Sequence, residues 1–255
     1  MKNIYRKNLD LYFETITDFK HSANRLNKVL LNDVEKYKTE SSVYSSMTAL
    51  VIGDWTGPTE NGWKLPFHTG IDKITEKENY PVEINNLLSR EFCLAFSQCY
   101  EALEKFLKDC VDSKIKNDAE YKKRIGFNEN YSRKELKGGD NIYKLIKKAG
   151  GKRLINYSKN NNNNFKFKEI FTIFSEVRHC VTHNKGFLEV SKIPNDKYYK
   201  NLFEFLFNKN KLEGKTILIE FDIKLLNKSL IYLSEFGFQI YKILSEEDNY
   251  EWEIK

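Results

Sequence analysis

Proline, glycine and long apolar runs are scarce in this sequence of 255 residues. Only 4 prolines and 12 glycines are present, which leaves little material for a flexible linker between separate domains. No run of about 18 apolar residues occurs, so we expect no membrane span. The N-terminal segment MKNIYRKNLDLYF lacks the apolar core and the small-residue cleavage site of a secretory signal, which predicts a cytoplasmic protein.

Cysteine is also rare, and the 4 cysteines form no Cys-x-x-Cys pair. Cys93, Cys99 and Cys110 fall in one predicted helix, and Cys180 falls in another. This pattern favours small buried apolar residues in a reducing compartment. The alternative is a zinc site that joins Cys180 to a histidine of its own helix, although no pair has the usual ligand spacing. Neither a GxxxxGK[ST] phosphate loop nor a GxSxG elbow is present, so nucleoside-triphosphate and serine hydrolysis lack support.

The net charge of +6 is unevenly distributed along the chain. Residues 114–159 contain 14 Lys and Arg against 5 Asp and Glu, a local charge of +9, so the remainder of the chain carries −3. A basic segment on a nearly neutral body favours a polyanionic partner such as RNA. The alternative is a solvated, lysine-rich surface without a partner, and the sequence leaves both interpretations open.

The spacing of apolar residues predicts a mainly α fold, a helical bundle with a minor β element. Segment 84–111 has an apolar residue every three or four positions, and segment 165–183 repeats the pattern. Further helices are predicted at 6–38 (with a weak point near Asn24), 117–125, 139–149, 195–209 and 224–245. Strands are predicted at 186–190 and 216–223, and 41–82 is predicted as loop with one or two short strands. In that loop Trp55 and Trp63, near His68, either pack in the core or stack nucleic-acid bases.

Arg178, His179 and His183 share the polar side of one helix end. At about 100° per residue, all three fall outside the apolar stripe of the helix predicted at 165–183. When RNA is cleaved by its own 2′-hydroxyl, a base, an acid and a positive charge for the phosphorane are needed. Histidine can transfer the protons near neutral pH, and the planar fork of arginine matches phosphate oxygens. The chemistry requires no metal ion.

A structural role for these residues is the alternative. A charged histidine at a helix C-terminus gains about 0.3–1 kcal/mol from the helix dipole without any catalytic role. Arg178 could cap carbonyls or pair with Glu176 or Asp196. Glu101, on the neighbouring predicted helix, either approaches the cluster or lies on the solvated surface, and its place off the apolar stripe favours the surface.

The segment EVRHCVTHNKG, residues 176–186, resembles the motif of HEPN-family ribonucleases, which is Arg, a polar residue, three variable residues and His. Arg178 and His183 match the fixed positions. His179 stands at the polar position, where the family most often has Asn and also accepts His or Asp. The place of the motif at the end of an amphipathic helix is similar too, and a looser likeness to the helical bundle of the family extends over 84–184.

The resemblance implies a metal-independent endoribonuclease without a cofactor. It would cleave transfer RNA or other single-stranded RNA, in bacterial antiviral defence or in a toxin–antitoxin system. The resemblance also implies a homodimer with a composite active site, in which His183 acts on protons, Arg178 holds phosphate and His179 orients or assists. An antitoxin or other regulatory protein is an expected partner, because uncontrolled cleavage of RNA would harm the host.

The whole chain, 1–255, is interpreted as one HEPN-like helical domain. Residues 1–80 are then an N-terminal extension and 186–255 a C-terminal elaboration. Two other functions remain open at this point. One is a HEPN-like binding or dimerisation module without nuclease activity, and the other is an unrelated basic, helical RNA-binding protein.

Overall fold

The computed structural model describes residues 2–54, 66–207 and 212–253, which are mainly helical with a small β component. The helices are α1 (Arg6–Lys36), α2 (Tyr80–Asn117), α3 (Ala119–Ile125), α4 (Asp140–Ala149), α5 (Gly151–Tyr157), α6 (Phe167–His183), α7 (Lys197–Phe207) and α8 (Ile223–Glu247). The strands are β1 (Ser45–Gly53), β2 (Pro66–Glu76), β3 (Phe187–Glu189) and β4 (Thr216–Leu218). The predicted mainly α fold is confirmed. Trp55 and Trp63 lie outside the described residues.

The chain divides into two compact units. One consists of Met1–Asn24 and Ser89–Lys255, and the other of Arg25–Leu88. Helix α1 continues through Asn24, where the sequence predicts a weak point, and the Asn24 side-chain amide donates to the carbonyl of Lys20 (2.7 Å). The boundary between the two units falls directly after this residue. The assignment of the first and last segments as extension and elaboration stays a prediction. Among helices in the described ranges, none has the length and apolar character that crossing a bilayer requires.

The unit Arg25–Leu88 contains an antiparallel hairpin of β1 and β2. Its register runs from Ser45 opposite Glu76 to Gly53 opposite Pro66. Both strands are longer than the short strands predicted in this region. The reason is that nearly every residue of the hairpin is exposed on both faces, so the apolar–polar alternation that marks a half-buried strand is absent.

The larger unit packs α2, α6 and α8 around an aromatic core. Ser97 of α2 lies beside Thr182 of α6, and the Tyr100 ring lies 5.8 Å from the Phe171 ring, so the two helices run antiparallel. Phe171 also stacks on Phe236 of α8 at 6.2 Å. Helix α8 is largely buried, as its apolar residues on nearly every face predict.

Two short elements differ from the prediction. Helix α5 was not predicted, because Gly150 and Gly151 indicated a break; Gly151 (φ 51°) instead allows the chain to turn and start a new helix at once. The strand predicted at 216–223 is limited to β4. Asp222 accepts a hydrogen bond from the amide of Leu225 (2.7 Å), and this cap commits the following residues to α8.

Candidate active site

Helix α6 carries the three predicted site residues at its C-terminal end. Its core side is formed by the buried residues Phe167, Ile170, Phe171, Ile173, Phe174, Val177, Cys180 and Val181. After His183 the chain enters a left-handed turn at Lys185 (φ 52°) and Gly186 (φ 85°). The Gly186 amide donates to the Cys180 carbonyl (3.0 Å) and closes the helix. The end of the helix predicted at 165–183 is confirmed.

His179 and His183 lie one helical turn apart, and both are exposed. Their ring centroids are 4.9 Å apart and the ring planes are inclined by 51°. The polar side that the sequence predicts for them is confirmed. Two solvent-facing imidazoles can transfer protons to and from a bound substrate near neutral pH.

Arg178 is held by Glu101 of α2. Its Nη2 donates to Oε1 of Glu101 over 2.7 Å, and 26% of the Arg178 side chain is exposed against 42% of the Glu101 side chain. The Nε of Arg178 is buried and has no hydrogen-bond partner within the described ranges. The structure therefore pairs Arg178 with Glu101, and not with Glu176 or Asp196 as considered from the sequence.

Hydroxyl groups extend this polar contact between α2 and α6. The Thr182 hydroxyl donates to the carbonyl of Arg178 (2.9 Å) and lies 2.8 Å from the hydroxyl of Ser97. Ser97 and Glu101 are one turn apart on α2, and Thr182 and Arg178 are one turn apart on α6. The expectation that Glu101 is only a solvated surface residue is wrong. The sequence contained the i, i+4 spacing on both helices, but not the register that brings the two pairs together.

Glu176 is a further acidic group near the histidines. Burial raises the pKa of its carboxyl, and the positive charge of His179 partly opposes that rise. Glu176 lines a cavity of about 350 Å³ together with Thr172 and Ser175. The carboxyl group of Glu176 therefore lies within range of a charge interaction with His179. Sequence analysis considered Glu176 only as a partner of Arg178.

Cys180 is buried in the core, whereas the two histidines face solvent. Its thiol lies 3.1 Å from the carbonyl of Val177, and burial raises the pKa of the thiol to about 12. In the part of the chain that the structure describes, no group of three or more His, Cys, Asp and Glu side chains could hold a metal ion. A zinc site built on Cys180 therefore has no geometric support.

The basic segment 114–159 is partly neutralised by carboxylates, most of which lie outside it. Lys114 is buried and forms ion pairs with Asp118 (3.3 Å) and Asp248. Lys116 pairs with Asp112, Arg133 with Asp109, and Arg153 with Glu246 and Glu247. The local charge of +9 thus overstates the positive surface.

Comparisons with known protein families, with curated proteins and with solved structures find no match to this chain. The HEPN resemblance therefore rests on the motif and on its place at the end of α6, and it stays a prediction.

Proposed function

We propose that the protein is a metal-independent endoribonuclease of the HEPN type, with Arg178, His179 and His183 as its catalytic residues. The observation that carries the proposal is the geometry of one helix end. The ring centroids of two exposed imidazoles lie 4.9 Å apart, next to an arginine that a carboxylate holds in place. This set supplies proton transfer and phosphate recognition at a single surface.

The proposed reaction is transesterification. An imidazole takes the proton of a ribose 2′-hydroxyl, and the 2′-oxygen forms a bond to the adjacent phosphorus. The bond from phosphorus to the 5′-oxygen of the next nucleotide breaks, and an imidazolium gives that oxygen a proton. The products are a 2′,3′-cyclic phosphate and a 5′-hydroxyl. Arg178 stabilises the negative charge that accumulates on the phosphorane oxygens.

We infer a homodimer from the geometry of this step. The attacking and leaving oxygens lie roughly in line on opposite sides of phosphorus. His179 and His183 of one chain are nearly in contact with each other, so they cannot flank a phosphate between them. A second copy of the chain, facing the first across its own α6, supplies the acid or base for the other side.

The biological role proposed for this activity is bacterial defence or a toxin–antitoxin system, with transfer RNA or other single-stranded RNA as the target. A regulatory protein that covers the exposed histidines would prevent cleavage of host RNA. This role follows from the resemblance to the family, and the exposure of His179 and His183 is compatible with it.

The test compares wild type with His183→Ala on total RNA in the presence of a chelator. Loss of an acid–base group costs about 10²- to 10⁴-fold in rate, so the variant should leave RNA intact while wild type produces cyclic-phosphate ends. His21→Ala is the matched control, because His21 is also an exposed histidine on a helix of the same unit. Equal cleavage by wild type and His183→Ala would contradict the assignment of His183.

A non-catalytic dimerisation module is the second candidate, and the Arg178–Glu101 ion pair favours it. A guanidinium already paired with a carboxylate needs no substrate to compensate its charge. That function predicts no cleavage by wild type and a shift from dimer to monomer in Arg178→Ala, measured by sedimentation. The nuclease proposal predicts cleavage by wild type in the same preparation.

A further inference from the structure

A groove lined by lysines lies at the N-terminal end of α6, outside the candidate active site. Its volume is about 690 Å³. The cationic lining residues are Lys144 and Lys147 of α4, Lys159, Lys166 and Lys168. Glu169 is the one acidic residue that lines it, and the side chains of Leu154 and Phe167 form an apolar floor. Five cations therefore share one concave surface with one carboxylate.

In the part of the chain that the structure describes, these five lysines have no counterions, unlike several cations of the basic segment 114–159. Within the described ranges none of the five forms an ion pair, whereas Lys114, Lys116 and Arg153 do. Lys166 lies over the ring of Tyr198, with its Nζ 4.4 Å from the ring centroid. All five are exposed. Like charges gathered without partners repel one another, and a polyanion that spans them removes that repulsion.

The groove and the histidines are joined by one face of α6. Lys168, Thr172, Glu176, His179 and His183 recur every three or four residues, which places them on a single stripe of the helix. The cavity of about 350 Å³ lies along this stripe, because Lys168, Thr172 and Glu176 all line it. The α-carbons of Lys168 and His183 are separated by fifteen residues of helix, or about 22 Å. A single strand of a few nucleotides spans that distance.

We propose that the lysine groove binds the backbone phosphates of single-stranded RNA and that the strand continues along α6 to the two histidines. The central cavity contains the carboxylates of Glu176 and Asp140, which repel phosphate. The strand is therefore held by its phosphates at the two ends, by the lysines and by Arg178, while the nucleotides between them cross the acidic cavity. The binding site stands on its own observations, and only its role in cleavage rests on the proposed nuclease activity.

RNA is favoured over an acidic protein as the occupant because of what lies on the same helix face. An acidic peptide would use the lysines but would have no use for His179 and His183. An RNA strand uses both the lysines at one end of the stripe and the histidines at the other.

The test measures binding of a fluorescein-labelled single-stranded RNA of mixed sequence by anisotropy, over a series of salt concentrations. All proteins carry His183→Ala so that the probe stays intact. The groove variant combines Lys144→Glu, Lys147→Glu and Lys168→Glu. The control combines Lys7→Glu, Lys105→Glu and Lys224→Glu, which are exposed lysines of the same unit outside the groove. Both variants change the net charge equally, and glutamate preserves helix propensity at each position.

We expect weaker binding for the groove variant alone. At about 0.7 per neutralised phosphate on a single strand, the slope of log affinity against log salt should become shallower by about 2 when three lysines are reversed. The control should keep the wild-type slope. Equal losses in both variants, no loss in either, or no binding of the probe by the parent protein would overturn the proposal. So would stronger binding of polyglutamate than of RNA.

Cleavage assays in a His183-intact background separate this proposal from the nuclease proposal. If wild type cleaves RNA, the groove variant should show a raised KM for long RNA and unchanged kinetics on a dinucleotide, which is too short to reach the groove. Cleavage with equal KM in both variants would reject the groove and retain the nuclease. Binding that depends on the groove lysines without any cleavage would retain the groove and reject the nuclease.

Discussion

The guanidinium of Arg178 is oriented by a single carboxylate and by burial of its Nε. Because the contact with Glu101 is partly exposed to solvent, its net contribution to the free energy of unfolding is only about 0–1 kcal/mol. Its larger effect is geometric. The ion pair limits the long Arg178 side chain, which otherwise has many rotamers, to one direction. Arg178 directly precedes His179 in the chain. At the scale of the residue, Glu101 is therefore a positioning residue for Arg178.

Replacing Glu101 by Gln tests this positioning role. The amide keeps an acceptor for Arg178 but loses the charge, so the guanidinium should occupy additional rotamers. Misplacement of a substrate-positioning group costs roughly ten- to a hundredfold in rate. We expect kcat for RNA to fall by that factor with little change in KM, measured under saturating RNA.

Glu91→Gln is the control for this experiment. Glu91 lies on the same helix and pairs with its exposed neighbour Arg90. A similar fall in kcat for both variants would show that the loss of any α2 carboxylate is sufficient, and an unchanged kcat in Glu101→Gln would show that Arg178 needs no partner.

The sequence predicts those properties of a residue that the pattern of its own helix determines, and it does not predict contacts that depend on how two helices pack. The exposure of His179 and His183 follows from the apolar stripe of α6 alone, and it was predicted. The Arg178–Glu101 pair depends on the axial register between α2 and α6, which separates residues by 77 positions in the chain. No periodicity within either helix contains that register, so the sequence could offer Glu101 only as one of two alternatives.

At the scale of elements, a side chain of α1 approaches the backbone of α8 closely. The ring of Tyr12 lies directly against Gly237, and the Tyr12 hydroxyl donates to the carbonyl of Leu233 (2.7 Å). A Cβ at Gly237 would overlap Cε1 of the ring and lie 3.1 Å from Cδ1. Glycine in the interior of a helix is unfavourable by about 1 kcal/mol relative to alanine. The presence of Gly237 in α8 is explained by the space that the Tyr12 ring needs.

Gly237→Ala should destabilise the protein although it raises helix propensity. Overpacking costs about 1–3 kcal/mol, which exceeds the gain of about 1 kcal/mol in propensity for most of that range. Urea denaturation of wild type, Gly237→Ala, Tyr12→Leu and the double variant measures the effect. In the double variant the substitution at Gly237 should become neutral or stabilising, because the ring is gone. A destabilisation that persists without the ring would place its cause elsewhere in α8.

Several helices were predicted closely, but α2 (Tyr80–Asn117) begins four residues before and ends six residues after the predicted segment 84–111. The bounds of α6 and α7 lie within two residues of the predicted ones. In contrast, β1 and β2 are exposed on both faces, and α5 starts directly at a pair of glycines. In these elements the backbone is organised by strand pairing and by turn geometry, for which hydrophobic periodicity contains no signal.

For the molecule as a whole, the four cysteines behave as core residues. All are free and buried, as the sequence predicts. Burial raises the pKa of Cys93 to about 11 and of Cys99 and Cys180 to about 12, from 9.0, and it also raises the pKa of Cys110. A thiol is the poorly reactive form of cysteine, so the folded chain should resist modification.

We predict that thiol-specific reagents fail to label the native protein at neutral pH and label all four cysteines in urea.

We also predict that the free energy of unfolding falls as pH rises above 9. The raised folded pKa values mean that the unfolded chain releases thiol protons first, so the stabilisation is complete below pH 9 and is lost between pH 9 and about 12. A cysteine that reacts at the unfolded rate under native conditions would contradict its burial, and Cys93→Ala should flatten the pH dependence.

The imidazole pair on α6 also affects how the protein must be handled. Imidazole nitrogens bind nickel, copper and zinc ions, and two rings one turn apart can form a bidentate chelate for an ion whose other positions are filled by water. An ion held there would occupy the nitrogens that the proposed proton transfer needs, so traces of these metals should inhibit the proposed cleavage reversibly. In the proposed cleavage assay the chelator would then protect the activity instead of removing a cofactor. For the same reason the chain should be retained on immobilised nickel without an added tag.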